Sequence, residues 1–173
     1  MKIAYINLIY GHSVGVENKL KEKAEKARSI GMDMDVFLLN DLKLEHTDII
    51  IYKKLNFKSF PINSYQADFG RYKLIERSID LNPYDLILLR YPGADWSGMN
   101  FCKRYNVVTE HHTNEIGEIM VNLKLLISIK KKIKYLIEYI NEKVFSKHIL
   151  RNCKGIIAVT DEIKEIELRK TSF

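Results

Sequence analysis

The 173-residue chain reads as one three-layer α/β domain with a mainly parallel sheet. Three observations predict this. Short runs rich in β-branched and aromatic residues, such as KIAYINLIY and YDLILLRYP, alternate with longer segments whose apolar residues recur every three or four positions. The second run is apolar almost throughout, as a strand covered on both faces requires. An apolar share of 46% with 29% charged residues belongs to a packed globular domain, and the length argues for one core.

The elements follow in order. Lys2 to Tyr10 is predicted as a first strand, followed by a turn containing Gly11 and Gly15. From Val16 the positions Val16, Leu20, Ala24 and Ala27 describe a helix, which Gly31 ends. Met34 to Asn40 makes a second strand and Asp48 to Lys54 a weaker third. Gln66 to Leu81 is a helix with Tyr72, Ile75 and Ile79 inward, and Tyr84 to Pro92 is the doubly buried strand. A short helix from Gly98 to Tyr105 leads into a strand from Asn106 to His111. A long helical region from about Glu115 to Arg151, broken near Ser128 or Lys132, carries Ile119, Leu123, Leu126, Ile133, Ile137, Ile140 and Val144 at helical spacing. The last strand is Gly155 to Val159, with Thr160 in a capping position and a helix from Asp161.

Composition narrows the partners. Of the net charge of +6, a local balance of +7 lies between Val121 and Lys154, where nine Lys or Arg face only Glu138 and Glu142. Such a basic face suits an anionic surface, and Lys130, Lys131, Lys132 and Lys134 are expected to attach the domain peripherally to an anionic membrane. Nucleic acid is the weaker partner, since few aromatics, Tyr135 and Tyr139 among them, are interleaved with these cations. The opening segment lacks a cleavage-like pattern and no apolar stretch approaches the roughly 18 residues of a membrane span, so a cytoplasmic protein is expected. Cys102 and Cys153 have no metal-like spacing and are expected as reduced thiols.

In open parallel sheets ligands bind beyond the carboxyl ends of the strands. Four stretches map there: GHSVGVENK, RYPGAD, EHHTNE and TDE. Gly11 and Gly15 form either a plain turn or a loose phosphate cradle, because GHSVG matches neither the dinucleotide fingerprint nor the P-loop. Arg90 is either an ion-pair partner or an anchor for a carboxylate or phosphate, and Thr160 is a helix cap that also lies near the ligand edge. Strand alternation separates His111 from His112, so the two cannot share one metal ion, and one is structural. No H-E-x-x-H pattern is present to suggest a metal, and no G-x-S-x-G elbow to suggest a nucleophile.

Taken in order, KIAYINLIYGHSVGVENKLKEKAEKARSIGMDMDVFLL, YDLILLRYPGA, NVVTEHHTNE and CKGIIAVTDEIKE resemble the N-terminal, acceptor-side domain of family 4 glycosyltransferases, enzymes with two facing Rossmann-like domains in the GT-B architecture. The resemblance spans nearly the whole chain, as a single Rossmann-like domain over residues 1–173. It implies that Gly15, with Gly11, lets the backbone approach the donor phosphates. It matches His112, with His111 as second choice, to the His that contacts the transferred sugar, and Glu110 to a residue orienting that imidazole or touching the acceptor. Thr160 matches the Ser or Thr after an IIAV-like strand, and Arg90 falls among the substrate contacts.

The resemblance further implies a retaining transfer from a nucleotide-diphosphate-sugar to a glycan or lipid-linked acceptor in surface polysaccharide synthesis, with no metal or other cofactor. In that family the donor is held mostly by a C-terminal domain bearing a paired-glutamate motif, and nothing beyond Phe173 supplies such a domain, so a truncated and by itself inactive half is expected. The alternative is a non-catalytic α/β module that binds a nucleotide or a partner.

Overall fold

The computed structural model describes residues 1–8, 14–38, 70–125 and 128–171. In chain order the elements are β1 (Lys2–Asn7), α1 (Val14–Ser29), β2 (Asp33–Leu38), α2 (Arg71–Ser78), β3 (Leu86–Arg90), α3 (Trp96–Arg104), β4 (Val107–His111), α4 (Glu115–Leu125), α5 (Ile129–Asn152), β5 (Gly155–Ala158) and α6 (Asp161–Thr171). The five strands form one all-parallel sheet in the order β2-β1-β3-β4-β5, with helices on both faces. This is the predicted α/β class. The expected strand at Asp48 to Lys54, the turn at Gly11 and the start of the helix at Gln66 lie outside the described residues.

Alternation along the strands divides the core in two. Ile3 and Tyr5 of β1 meet Leu20, Ala24 and Ala27 of α1 with Met34 and Val36 of β2 on one face. Ala4, Ile6, Ile87, Leu89 and Val107 meet Tyr72 and Ile75 of α2, Phe101 of α3 and Ile149 of α5 on the other. Each such large apolar side chain stabilises the fold by roughly 1.5–3 kcal/mol when fully buried. Three helices approach closely at Gly98 of α3, where a Cβ would come within 2.6 Å of Ile149 Cδ1 and 2.7 Å of the Tyr72 ring. Only the absence of a side chain lets α2, α3 and α5 converge there.

Local signals explain the helix ends. Gly31 has φ 77°, its N–H bonds to Arg28 O and the Met32 N–H bonds to Ala27 O, the double closure of a glycine C-cap. Asp95, fully buried, caps α3 by accepting from the N–H groups of Ser97 and Gly98. Thr160 Oγ1 accepts from Ile163 N and caps α6. The long helical region breaks at Ser128.

One expectation is corrected. The helix starts at Val14, two residues before the spacing suggested, so Gly15 sits in the first turn of α1 and not in a loop. Ile133, Ile140 and Val144, at helical spacing as expected, are half exposed on the outer side of α5, while Glu142 and Ser146 face inward.

Candidate functional site

β1, β3 and β4 end at the same edge, with Tyr5 level with Leu88, Leu88 with Val108, and Arg90 with Glu110. Successive residues of β4 point to opposite faces, which separates two polar clusters only a residue apart in sequence.

On the α1 face stands Glu110, buried at the end of β4. Its Oε2 accepts from the Tyr5 hydroxyl at 2.7 Å and its Oε1 from Lys23 Nζ at 2.5 Å. Burial pushes this carboxyl up, but Lys23 and Tyr5 outweigh that and hold it below its usual range, so it is ionised at neutral pH. The Tyr5 hydroxyl is pushed up by burial and by the carboxylate, and remains a donor. His112 follows the strand and turns to the same side, with Nε2 3.1 Å from Glu110 Oε1 and about a third of its side chain exposed. The contact is at ion-pair distance without hydrogen-bond alignment, leaving Nε2 without a partner. Burial and the Arg90 charge lower the His112 pKa while Glu110 opposes them, so the ring is neutral at pH 7.

On the opposite face His111 is completely buried. Its ring stacks on Tyr91 at 4.2 Å, Nε2 lies 3.1 Å from Thr109 Oγ1, and Nδ1 is 3.6 Å from Glu167 Oε1. Burial drives its pKa down to about 3, so it is a neutral packing group. Glu167 belongs to a buried network. Lys170 Nζ donates to Glu167 Oε1 at 2.8 Å and to Glu142 Oε1 at 3.2 Å, and Glu142 also accepts from Tyr91 Oη at 3.2 Å and Ala94 N at 2.9 Å. Burial pushes Glu167 up despite Lys170. The two carboxylates overcome the effect of burial on Lys170 and raise its pKa. Glu115 is pushed up to about 7 by burial and by Glu142, and it accepts from the Thr113 hydroxyl at 3.1 Å.

Glu115 and Glu142 line a cavity of about 210 Å³ with Arg71, Gly93, Asn122 and Glu138. Arg71 bridges it, donating to Pro92 O and pairing with Glu138 at 3.1 Å. A second cavity of about 340 Å³ lies between β5 and α6 and includes Thr160, Lys164 and Glu167. Neither includes Glu110 or His112.

The structure thus brings Glu110, His112 and Arg90 to one side of the sheet edge and places His111 on the other, beneath α5 and α6. Thr160 serves as the cap of α6, Gly15 lies in the first turn of α1, and Gly11 is outside the described residues. Sequence reasoning missed Tyr5, Lys23, Glu142, Glu167 and Lys170, whose spacing carries no motif. It also missed Asp95, for which Asp followed by Trp-Ser-Gly at a helix start was a readable capping signal. Among the described residues no group of three or more His, Cys, Asp or Glu is arranged to hold a metal ion. No protein-family model matches the chain, and no curated protein or solved structure matches it.

Proposed function

We propose that this domain is the acceptor-facing half of a retaining glycosyltransferase, which moves a sugar from a nucleotide-diphosphate donor to a hydroxyl of a glycan or lipid-linked acceptor. The observation that supports it most is the Glu110–His112 pair, held by Tyr5 and Lys23 at the carboxyl end of a parallel sheet, with His112 partly open. Preorganised polar groups at that edge are where an α/β sheet binds ligands. In this reading His112 positions the sugar by hydrogen bonding and transfers no proton. Arg90 and the N–H groups of the first turn of α1 offset charge on the leaving diphosphate. The outer face of α5 then docks on anionic lipid. Ile129, Ile133, Leu136, Ile140 and Val144 form an exposed stripe, and at 3.6 residues per turn Lys130 flanks one side of it and Lys132 and Lys143 the other. Among the described residues no helix is long and apolar enough to cross a membrane.

A second reading, a binding module without chemistry, is favoured by Glu110 itself, since both of its oxygens are engaged and it is only 4% exposed. Amide chemical-shift titration with UDP-glucose and GDP-mannose at millimolar concentration separates the readings. The glycosyltransferase reading expects shifts at Arg90, Glu110, His112 and the first turn of α1 that vanish in His112→Ala. Shifts confined to other regions, or none at all, would overturn it.

A further inference from the structure

The cysteines, 51 residues apart, meet in the fold. Cys102 Sγ on α3 and Cys153 Sγ at the end of α5 are 3.6 Å apart and neither is in a disulfide. A disulfide sulfur–sulfur bond is about 2.0 Å, so the pair needs to close by only about 1.5 Å. Access is asymmetric: Cys102 is buried and Cys153 half-buried. Both line a cavity of about 330 Å³ whose wall also carries Lys103, Arg104, Arg151 and Lys154. A thiol pair at the wall of a pocket ringed by four cations has the features of a thiol-exchange site for an anionic reagent.

We propose that Cys102 and Cys153 form a reversible intramolecular disulfide by exchange with an anionic low-molecular-weight disulfide of the oxidised-glutathione type, admitted through the basic cavity. The inference is independent of the glycosyltransferase reading. Cys153 is the attacking group. Its contact with Cys102 holds its thiol below the usual range against the effect of burial, with Thr109 assisting, while Cys102 is pushed up. The Cys153 thiolate attacks one sulfur of the reagent, whose S–S bond breaks, and one glutathione thiolate leaves and takes up a proton. Cys102 then gives up its proton to solvent and attacks Cys153 Sγ. The mixed disulfide breaks and the second glutathione thiolate leaves and is protonated. Two protein thiols are oxidised by two electrons as one small disulfide is reduced to two thiols.

The bond would staple α3 to the end of α5 and enclose β4, α4 and the whole of α5 in one covalent loop. It would also alter the Cys153 sulfur that interacts with Thr109, the residue in contact with His111.

The test incubates the reduced chain in buffers of graded oxidised-to-reduced glutathione ratio, quenches with acid, alkylates free thiols with N-ethylmaleimide and maps peptides by mass spectrometry. The folded chain should lose both alkylation sites together and yield a Cys102–Cys153 peptide, at an oxidised glutathione level at least about tenfold lower than the urea-unfolded chain requires. Cys102→Ser should trap glutathione on Cys153, whereas Cys153→Ser should leave Cys102 unmodified. In Lys103→Gln/Lys154→Gln the rate with oxidised glutathione should fall about 3- to 10-fold, with less than about a twofold change toward neutral bis(2-hydroxyethyl) disulfide. The wild-type titration stands even if a serine variant does not fold. Both thiols remaining alkylatable at every ratio, disulfides between chains, or equal glutathionylation of the two serine variants would overturn the site. An unchanged rate in the lysine variant would overturn the anionic reagent.

Discussion

Replacing Lys170 by Met tests the buried network beside His111 most directly. The ammonium is the cation shared by Glu142 and Glu167, at 3.2 and 2.8 Å, and the three side chains are 11%, 1% and 1% exposed. Removing one member of a buried ion pair leaves an uncompensated charge and costs about 3–5 kcal/mol. For a domain of this size each kcal/mol lowers Tm by roughly 2–4 °C, so a fall of roughly 6 to 20 °C is expected at pH 7. The sign of the pH dependence follows from Glu167, whose folded pKa burial already raises above 4.5. A carboxyl raised in the folded state contributes stability below its unfolded pKa and loses it as pH rises through the folded value. Without Lys170 that value climbs further, so the deficit should be largest at neutral pH and shrink toward pH 4.5 as the surplus carboxylate takes a proton. Adding Glu167→Gln should recover at least about half of the loss by removing the orphaned charge. Urea unfolding followed by circular dichroism at pH 7 and pH 5 measures all three. A loss under about 1 kcal/mol at pH 7, the worth of an exposed pair, or a deficit that does not shrink in acid, refutes the reasoning.

The two adjacent histidines should behave differently in the same assay. His111→Ala removes a ring stacked on Tyr91 with no exposed surface and should cost about 3 kcal/mol, while His112→Ala should stay within about 0.5 kcal/mol. Equal losses would mean that the two faces of β4 are wrongly assigned. For Glu115, with its carboxyl pushed up to about 7, the wild type should lose stability as pH rises from 4.5 to 7, whereas His111, driven down to about 3, adds stability over pH 3 to 6.5. Relative to wild type, Glu115→Gln should therefore gain stability as pH rises through 4.5 to 7, and a pH-independent difference in unfolding free energy would contradict the assignment. Vesicles containing phosphatidylglycerol should sediment the protein at low salt, with about 1 kcal/mol lost per lysine removed among Lys130, Lys132 and Lys143. Ile133→Asp/Ile140→Asp should weaken sedimentation too. Recovery of all the protein in the supernatant would count against docking through α5.

Much of the fold was legible from the sequence because its causes are local. Buried parallel strands need unbroken apolar runs, so β3 was readable from YDLILLRYP. The stops were readable as well: Gly31 because the C-cap needs positive φ, Thr160 because a hydroxyl satisfies an orphan helix N–H. The placement of Glu110 and His111 on opposite faces follows from the two-residue period of a strand. Tertiary packing decided what periodicity leaves open. A helical repeat in α5 shows that an apolar stripe exists but not which side meets the core, and here the core side carries Glu142 while the isoleucines face outward. Glu142 looked like a counter-charge in a basic surface segment. It became a buried acceptor only because Tyr91, Ala94 and Lys170, from other parts of the chain, converge on it. Cys102 and Cys153 likewise carry no spacing signal and meet only because Gly98 lets α3 press against α5. Backbone hydrogen bonding and side-chain periodicity act within a few residues and leave a pattern in sequence, whereas these contacts depend on the relative placement of whole helices.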